Sequence, residues 1–420
     1  MPERKREAAK IGFLEFVALA AAMMSTQAIA IDAMLPAFPI IAGSLGVANE
    51  NHVQWIVTAY MSGLGCGQLF WGLMSDRFGR RPILIGGLAL YVLAALLCGL
   101  AAGFHALLAW RFVHGLAAAS TVVVRSVIRD LYSGRHMARV MSLTFMVFLT
   151  VPILAPSLGQ FILWLAQWRY IFIVCGLFAA CVCAWALWRL PETLHPEYRM
   201  TLSLAHIAGA IRLVACTRSS LCYTLAMSVM FGGIMAYVGM VQQIFGEVFH
   251  RSSLMPTMFA LCAISTGVAA FLNSRIVERF GMRRISHTAL LVFLAITGLH
   301  SAIALAGFER LWIFVAFQSA TMACFALSTS NFGAMAMEPV AAAAGIGASL
   351  QGFVSTLGGA MVGALIGRQF SGTLETLPLG SLGCGLLGLS FVLLAEKDRL
   401  FRGQHLAGEL PAPVQVDMVQ

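Results

Sequence analysis

Long apolar runs separated by short polar segments dominate this chain. About twenty apolar residues are enough to cross a bilayer as a helix, and twelve runs of roughly this length can be marked along the sequence. The pattern therefore predicts an all-α membrane protein with twelve transmembrane helices. The runs are Phe13–Pro36, Val53–Met74, Pro82–Ala102, Ala106–Arg129, Val140–Leu163, Trp168–Leu190, Leu221–Phe245, Met255–Val277, Ile285–Ala306, Leu311–Met335, Gly345–Phe370 and Leu377–Ala395.

The longest polar interruption, residues 191–220, divides six runs from six runs. Apolar residues recur at helical spacing in its middle, which is typical of a short amphipathic helix on a membrane surface. These residues are Leu204, Ile207, Ile211 and Val214. The predicted segments are an N-terminal six-helix bundle (1–190), a cytoplasmic linker with this helix (191–220), a C-terminal six-helix bundle (221–396) and a disordered cytoplasmic tail (397–420).

Composition and charge agree with a membrane protein. Hydrophobic residues make up 60% of the chain and charged residues 11%, and the mean hydropathy is +0.85. The net charge of +9 does not indicate a nucleic-acid partner, because most Lys and Arg fall in the polar segments of one side. Cytoplasmic loops of membrane proteins are rich in these residues. The charge pattern therefore predicts that both termini are cytoplasmic.

The two halves of the chain carry similar sequences at the same place. Residues 72–81, after the second run, read GLMSDRFGRR, and residues 274–284, after the eighth run, read SRIVERFGMRR. Acid, Arg, Phe and Gly coincide after a shift of 202 residues, as from Asp76 to Glu278 (278 − 76 = 202). A match at the same ordinal span predicts a duplicated six-helix unit, which is common among transporters.

The first copy of this segment carries the strongest motif in the sequence. A glycine lets helices approach closely, an acid can pair with a base or cap a helix, and a second glycine permits a tight turn. The segment resembles the signature loop between the second and third helices of the major facilitator superfamily, and we predict that it organises a cytoplasmic gate. Its residues are Gly72, Asp76, Arg77, Gly79, Arg80 and Arg81.

Two further segments resemble motifs of the same superfamily. Arg111, followed four residues later by Gly115, is similar to the fourth-helix pattern. Pro152, Pro156 and Gly159 resemble the fifth-helix motif that is typical of antiporters, although the family's Gly-Pro and Gly-Gly pairs read Ala-Pro and Gly-Gln here. Each proline removes a helix hydrogen bond and can kink the span.

Finer features resemble one branch, the bicyclomycin-resistance (Bcr/CflA) branch of the drug:proton antiporters. They are Ile31–Ala37, Gly67–Leu69, Arg129–Tyr132, Pro191–Leu194 and Ser330–Asn331. The resemblance implies a monomer in the bacterial inner membrane that exports drugs or small, largely apolar metabolites in exchange for protons. The expected partners are thus a small-molecule substrate, protons and the lipid bilayer. Proton-coupled uptake of a metabolite and ligand sensing without transport remain as alternatives.

Two charged residues lie inside apolar runs, where charges are costly and usually functional. Asp32 lies in the outer third of the first run, and Arg111 lies at a similar depth in the fourth. A nearby arginine holds a carboxylate ionised whereas burial opposes this, so the balance would suit a site that binds and releases protons. We predict that Asp32 and Arg111 couple transport to protons; a fixed ion pair that ties two helices is the alternative.

Other polar residues are candidates for the transport path. Arg125 is expected near the cytoplasmic mouth, where it attracts anionic groups, pairs with Asp130 or extends to the interface. Tyr237 and Asn331 are the polar cavity candidates of the second half. No nucleotide-binding loop, metal-ligand cluster or catalytic arrangement is evident, so we predict no cofactor, no metal and no enzymatic activity.

The eleventh run carries a glycine stripe at four-residue spacing, Gly359, Gly363 and Gly367. Small residues at this spacing let two helices approach closely. The stripe therefore indicates either a contact that slides during transport or static packing.

Overall fold

The computed structural model describes residues 11–132, 134–195, 197, 204–397 and 400–401. Within these residues all regular structure is helical. We label the twelve long helices that correspond to the predicted runs in chain order. They are α1 Phe13–Asp32, α2 Trp55–Phe78, α3 Arg80–Gly99, α4 Phe104–Ala118, α5 Gly134–Leu165, α6 Arg169–Arg189, α7 Arg218–Gln243, α8 Met255–Phe280, α9 Met282–Leu305, α10 Leu311–Met337, α11 Ala344–Gly367 and α12 Thr376–Glu396.

Several spans differ from the predicted runs because the helices change geometry within the membrane. After α1 the chain forms a 3₁₀ turn, Leu35–Ala37, and then resumes an α-helix over Phe38–Ser44. The first span therefore extends beyond the predicted end at Pro36. The chain after α4 likewise passes through a 3₁₀ turn, Ala119–Val122, into the helix Val123–Leu131.

Eleven helical segments of the described chain are long and apolar enough to cross a membrane by length and composition. The helix that does not meet this measure is α2, which has 24 residues, or about 36 Å at 1.5 Å per residue. It packs against α4 on one side and α11 on the other. A helix with protein on both sides needs less apolar surface, which explains why α2 carries so many small residues. Its glycines are Gly63, Gly65, Gly67 and Gly72.

The helices pack mainly within the first six and within the last six. In the first set α2 packs against α4, α3 against α4 and α6, and α1 against α5. In the second set α7 packs against α10, α11 and α12, and α10 also against α8 and α9. The two sets meet chiefly where α2 contacts α11 and α5 contacts α8. This packing agrees with the predicted twelve-helix architecture.

The sequence repeat corresponds to a repeated turn. Gly79 joins α2 to α3 with φ +104°, and Gly281 joins α8 to α9 with φ +77°. Side chains other than glycine rarely adopt this region. In each half a glutamate near the end of the sixth helix also binds the helix that follows this turn. Glu192 accepts a hydrogen bond at the start of α3, and Glu396 accepts one from Arg283 at the start of α9. The two halves thus share the local structure that the match between their sequences predicts.

The linker contains a helix, Leu204–Cys216, as predicted. Val214 is buried in this helix and lies close to Gly347 of α11. The contact fixes the linker helix against the second set of helices. The side chains at 204 and 207 and almost all of the predicted tail, from 402 onward, lie outside the described residues.

Glycines allow α2 and α4 to pack with their backbones almost in contact. A Cβ at Gly115 of α4 would overlap the carbonyl oxygen of Tyr60, and a Cβ at Gly63 of α2 would overlap that of Phe112. Each overlap involves backbone, which cannot rotate away. The glycine of the fourth-helix motif therefore has a packing role.

We predict that Gly115→Ala destabilises the protein by about 1–3 kcal/mol, the usual cost of overpacking a core. Thermal unfolding of the purified protein in detergent, followed by intrinsic fluorescence, measures the effect. Gly86→Ala on α3 is the matched control, because a Cβ there meets nothing within 4 Å. Equal melting temperatures for the two variants would contradict the packing role.

Candidate functional site

A cavity of about 290 Å³ lies between the two sets of helices. Residues of α1, α2 and α5 line it on one side, and residues of α7, α8, α10 and α11 on the other. Most of the lining is apolar and includes Ile31, Met61, Leu64, Phe231, Met235 and Phe259. Flexible methionine and flat aromatic side chains adapt to ligands of different shape. The cavity is therefore suited to a small apolar solute.

Asp32 is the one ionisable side chain among the described residues that line this cavity. It is the last residue of α1, and the chain leaves α-helical geometry immediately after it. Pro36 has no N–H to donate to the carbonyl of Asp32, four residues earlier, so the helix cannot continue unbroken. The sequence thus ends a helix where the carboxyl reaches the cavity.

The fifth-helix motif lies beside this break. Pro152 lines the cavity, and both Pro152 and Pro156 lie inside α5. A Cβ at Gly159 would overlap the carbonyl oxygen of Ala33, the residue after Asp32. Glycine at this position lets α5 support the turn that places Asp32. The motif therefore has a structural connection to the cavity carboxyl.

The described residues show no ion pair between Asp32 and Arg111, the arrangement that the sequence analysis gave as the alternative to proton coupling. Arg111 is fully buried, and its guanidinium contacts the carbonyl of Ile56 at 3.3 Å and Nδ1 of His114 at 3.2 Å. It also lies 4.3 Å from the centre of the Tyr60 ring. These partners belong to α2 and α4, so Arg111 faces the interior of its own half. Asp32 and Arg111 were expected at a similar depth in the membrane, but a similar depth does not bring two side chains to the same face of the bundle.

The two polar candidates of the second half do not line the cavity either. Tyr237 is fully buried and stacks on Phe259 with the ring centres 5.7 Å apart. Its neighbours on α7, Met235 and Val238, line the cavity instead, because they share a different helix face. Asn331 donates to Oδ1 of Asn273 at 2.8 Å and so joins α10 to α8. Tyr237 thus packs α7 against α8, and Asn331 holds α10 to α8.

A vestibule of about 530 Å³ leads from the cavity towards the Gly72–Arg81 loop. Gln27 and Thr356 line both spaces, so the vestibule and the cavity adjoin each other there. Asp76 and Arg125 line the vestibule, and Arg125 is exposed there. The structure therefore places Arg125 in the wall of the vestibule.

A network of charges organises the loop between α2 and α3. Arg80 is 4% exposed and bonds Asp76, the hydroxyl of Ser75 at 2.7 Å and Asp130 at 3.3 Å. Arg80 thus ties the end of α2 to the helix that follows α4. Asp130, which the sequence offered as a partner for Arg125, is bonded by Arg80 instead.

Glu192 is a member of this network that the sequence did not assign a role. Its carboxylate accepts the backbone N–H of Arg80 at 2.9 Å and of Arg81 at 3.3 Å, at the N-terminus of α3. Unpaired N–H groups at a helix start favour a carboxylate. A Cβ at Gly79 would overlap this carboxylate, so the glycine also makes room for the cap. The cap joins the end of the sixth span to the loop, a contact between residues about 110 positions apart.

At the opposite end of the molecule, side-chain amides of both halves are hydrogen-bonded to one another. The central cavity therefore adjoins a vestibule on one side, and polar contacts join the two halves at the other end. Two packed six-helix sets, a cavity between them and a path to one end define a secondary transporter of the twelve-helix class.

This chain belongs to the Major Facilitator Superfamily, whose family description matches residues 16–363. It is similar to a bicyclomycin resistance protein homolog from Haemophilus influenzae, with 31% identity over 89% of this chain and 94% of the relative. It is also similar to the multidrug resistance protein MdtL of Klebsiella pneumoniae, with 28% identity over 88% of this chain and 93% of that one. The resemblance read from the motifs is thereby confirmed.

The fold agrees with solved structures of the superfamily. A partially occluded inward-open conformation of the E. coli xylose transporter XylE matches with a TM-score of 0.72 and 14% identity, over 94% of this chain and 99% of that chain. The chain is thus a multi-pass transporter of the bacterial inner membrane and not an enzyme. The described residues contain no group of His, Cys, Asp or Glu arranged to hold a metal ion.

We predict that Arg80→Gln destabilises the protein by roughly 1–3 kcal/mol, because it leaves partly buried carboxylates without their cation. Thermal unfolding in detergent measures the loss. Arg77→Gln is the matched control: Arg77 is exposed and lies over the ring of Phe78, so its loss costs little. A protein that tolerates both changes equally would show that the network does not hold the loop.

Proposed function

We propose that this protein exports small, largely apolar compounds across the inner membrane in exchange for protons, by alternating access. The observation that carries the proposal is the carboxyl of Asp32 in a cavity between the two halves whose other described lining residues are uncharged. An ionised carboxylate in apolar surroundings is costly, and either a proton or a polar substrate group removes that cost. Competition between the two for one site couples their movements.

The cavity supports the substrate class. Its lining is mainly apolar, and its volume of about 290 Å³ limits it to small solutes. The names of two similar proteins record resistance to bicyclomycin and to multiple drugs. Drug export therefore fits both the cavity and the relatives better than sugar uptake, because the lining has few hydrogen-bonding groups for a polyhydroxylated solute.

The direction of access follows from charge. Basic residues are concentrated in the loops of the end that carries Arg80 and Arg81, which assigns this end to the cytoplasm. Both termini then lie in the cytoplasm. The vestibule lies next to the cavity on this side, which supports entry of the substrate from the cytoplasm in this conformation. Export requires a second conformation that opens to the other side.

Arg111 has a part in coupling that does not depend on contact. Its buried positive charge lies in the same half as Asp32, and its Nη2 has no hydrogen-bond partner among the described residues. Charges in a low-dielectric interior interact over several ångströms. In the proposed coupling, the positive charge of Arg111 therefore acts on the Asp32 carboxyl through space.

We predict that Asp32→Asn abolishes proton-driven export, because asparagine is neutral at every pH and has no proton to exchange. The measurement is uptake of labelled bicyclomycin into inverted vesicles or proteoliposomes with an imposed pH gradient. Substrate exchange without a gradient should persist in the variant, because the cavity stays intact. Gradient-driven uptake at the wild-type rate would refute the role of Asp32.

Asp76→Asn is the matched control, an equally conservative change at a carboxyl outside the cavity. It should slow gradient-driven transport and exchange alike and leave ligand affinity nearly unchanged, because Asp76 acts on the loop. Uptake driven inward from the periplasmic side by the wild type would instead indicate metabolite import. Ligand binding without any flux would indicate a sensor.

A further inference from the structure

Three side-chain amides close the end of the molecule opposite the vestibule. Asn51 and Gln54 belong to the 3₁₀ turn that precedes α2 in the first half. Gln243 is the last residue of α7 in the second half. Together with the carbonyls of Gly367 and Phe370, at and after the end of α11, they form a cluster that we name the amide gate.

The hydrogen bonds of the amide gate form a directed chain between the halves. Gln54 Nε2 donates to Oε1 of Gln243 at 2.7 Å and to the carbonyl of Gly367 at 3.3 Å. Gln243 Nε2 donates to Oδ1 of Asn51 at 2.9 Å. Asn51 Nδ2 donates to the carbonyl of Phe370 at 2.8 Å. Each amide thus connects to the next, and the first half holds the ends of both α7 and α11.

Gln54 is packed into the second half as well as bonded to it. Its side chain is 4% exposed and lies between two glycines. A Cβ at Gly367 would overlap Oε1 of Gln54, and a Cβ at Gly239 would lie 3.2 Å from the same atom. The absence of side chains at these two positions creates the space that the Gln54 amide occupies.

This packing separates the members of the glycine stripe by role. A Cβ at Gly359 would meet the ring of Phe231, and one at Gly363 would meet the backbone N of Ala236 at 2.9 Å. Both neighbours lie on α7, so these glycines serve packing within the second half. Gly367 differs, because it receives a side chain of the other half. The last glycine of the stripe therefore takes part in a contact that must break when the halves separate.

We propose that the amide gate holds the periplasmic side closed, with Gln54 as its central positioning residue. The proposal rests on the alternating-access function above. Neutral amide bonds suit a reversible closure, because water replaces them on opening and each is worth little net. Charged pairs would bind and desolvate more strongly. The gate is thus strong enough to bias the cytoplasm-open state and weak enough to open during transport.

The test measures gate opening directly and needs no substrate. Spin labels are placed at Ala102 and Ala306, exposed residues beyond α3 and α9 on the gate side of each half. The ten native cysteines are replaced by serine or alanine. Double electron–electron resonance in nanodiscs then reports the populations of short and long distances.

We expect Gln54→Leu to raise the ratio of open to closed populations at this end about tenfold, from the loss of two bonds of modest strength. Gln369→Leu is the matched control: this exposed amide on the same side bonds Leu365 within its own half. Gln243→Leu should act like Gln54→Leu, and the double variant should add less than both together, because the residues are in contact.

Gly367→Ala supplies an independent test that leaves every amide in place. It should displace the Gln54 side chain and open the gate, whereas Gly43→Ala on the same side should not, since a Cβ at Gly43 meets nothing within 4 Å. Distance distributions of Gln54→Leu and Gly367→Ala that match those of their controls would overturn the proposal. If Gln54→Leu does not fold, Gln243→Leu and Gly367→Ala decide it by the same criterion.

The outcome is separable from that of the proposed function. Loss of coupling in Asp32→Asn together with a more open gate in Gln54→Leu supports both proposals. A gate that opens as expected in a protein that shows no proton-driven export would leave the amide gate standing and refute the antiport. Proton-driven export by the wild type, together with an unchanged distance distribution in Gln54→Leu, would support the antiport and refute the amide gate.

Discussion

The structure depends on the placement of one carboxyl where a bilayer disfavours charge. Asp32 occupies the end of α1, and three features hold it there: the proline four residues on, the close approach of Gly159 to Ala33, and the apolar walls of both halves. Because no described basic side chain lines the cavity, the carboxyl is available to protons and solutes. The proposed coupling by exchange at Asp32 rests on that availability.

The two ends of the molecule use different chemistry for related purposes. At the end that carries the Gly72–Arg81 loop, charges around the buried Arg80 fasten the loop within the first half. On the other side, neutral amides join the first half to the second. In the proposed alternating-access cycle, contacts within a half persist, whereas contacts between the halves form and break. Strong ionic bonds suit the former, and weak amide bonds suit the latter.

The sequence predicted the fold well because the bilayer imposes a length and a polarity on every span. The sequence also placed Asp32 in the outer third of the first apolar run. The sequence did not predict the surroundings of Arg111, Tyr237 or Asn331. The depth of a residue in the membrane does not determine how its helix is rotated, and so does not determine which neighbours the side chain meets. The roles of Glu192 and Gln54 were not predicted for another reason. Their partners are more than a hundred positions away in the sequence, and no local sequence pattern indicates such contacts.

Proton release on ligand binding tests the central claim most directly. Purified protein in weakly buffered detergent solution, with a pH indicator, would be titrated with bicyclomycin. If solute and proton compete for Asp32, binding to the wild type releases protons at a pH where the carboxyl is protonated, and binding to Asp32→Asn releases none. Ligand binding by the wild type without proton release at any pH, or equal release by the variant, would contradict the account.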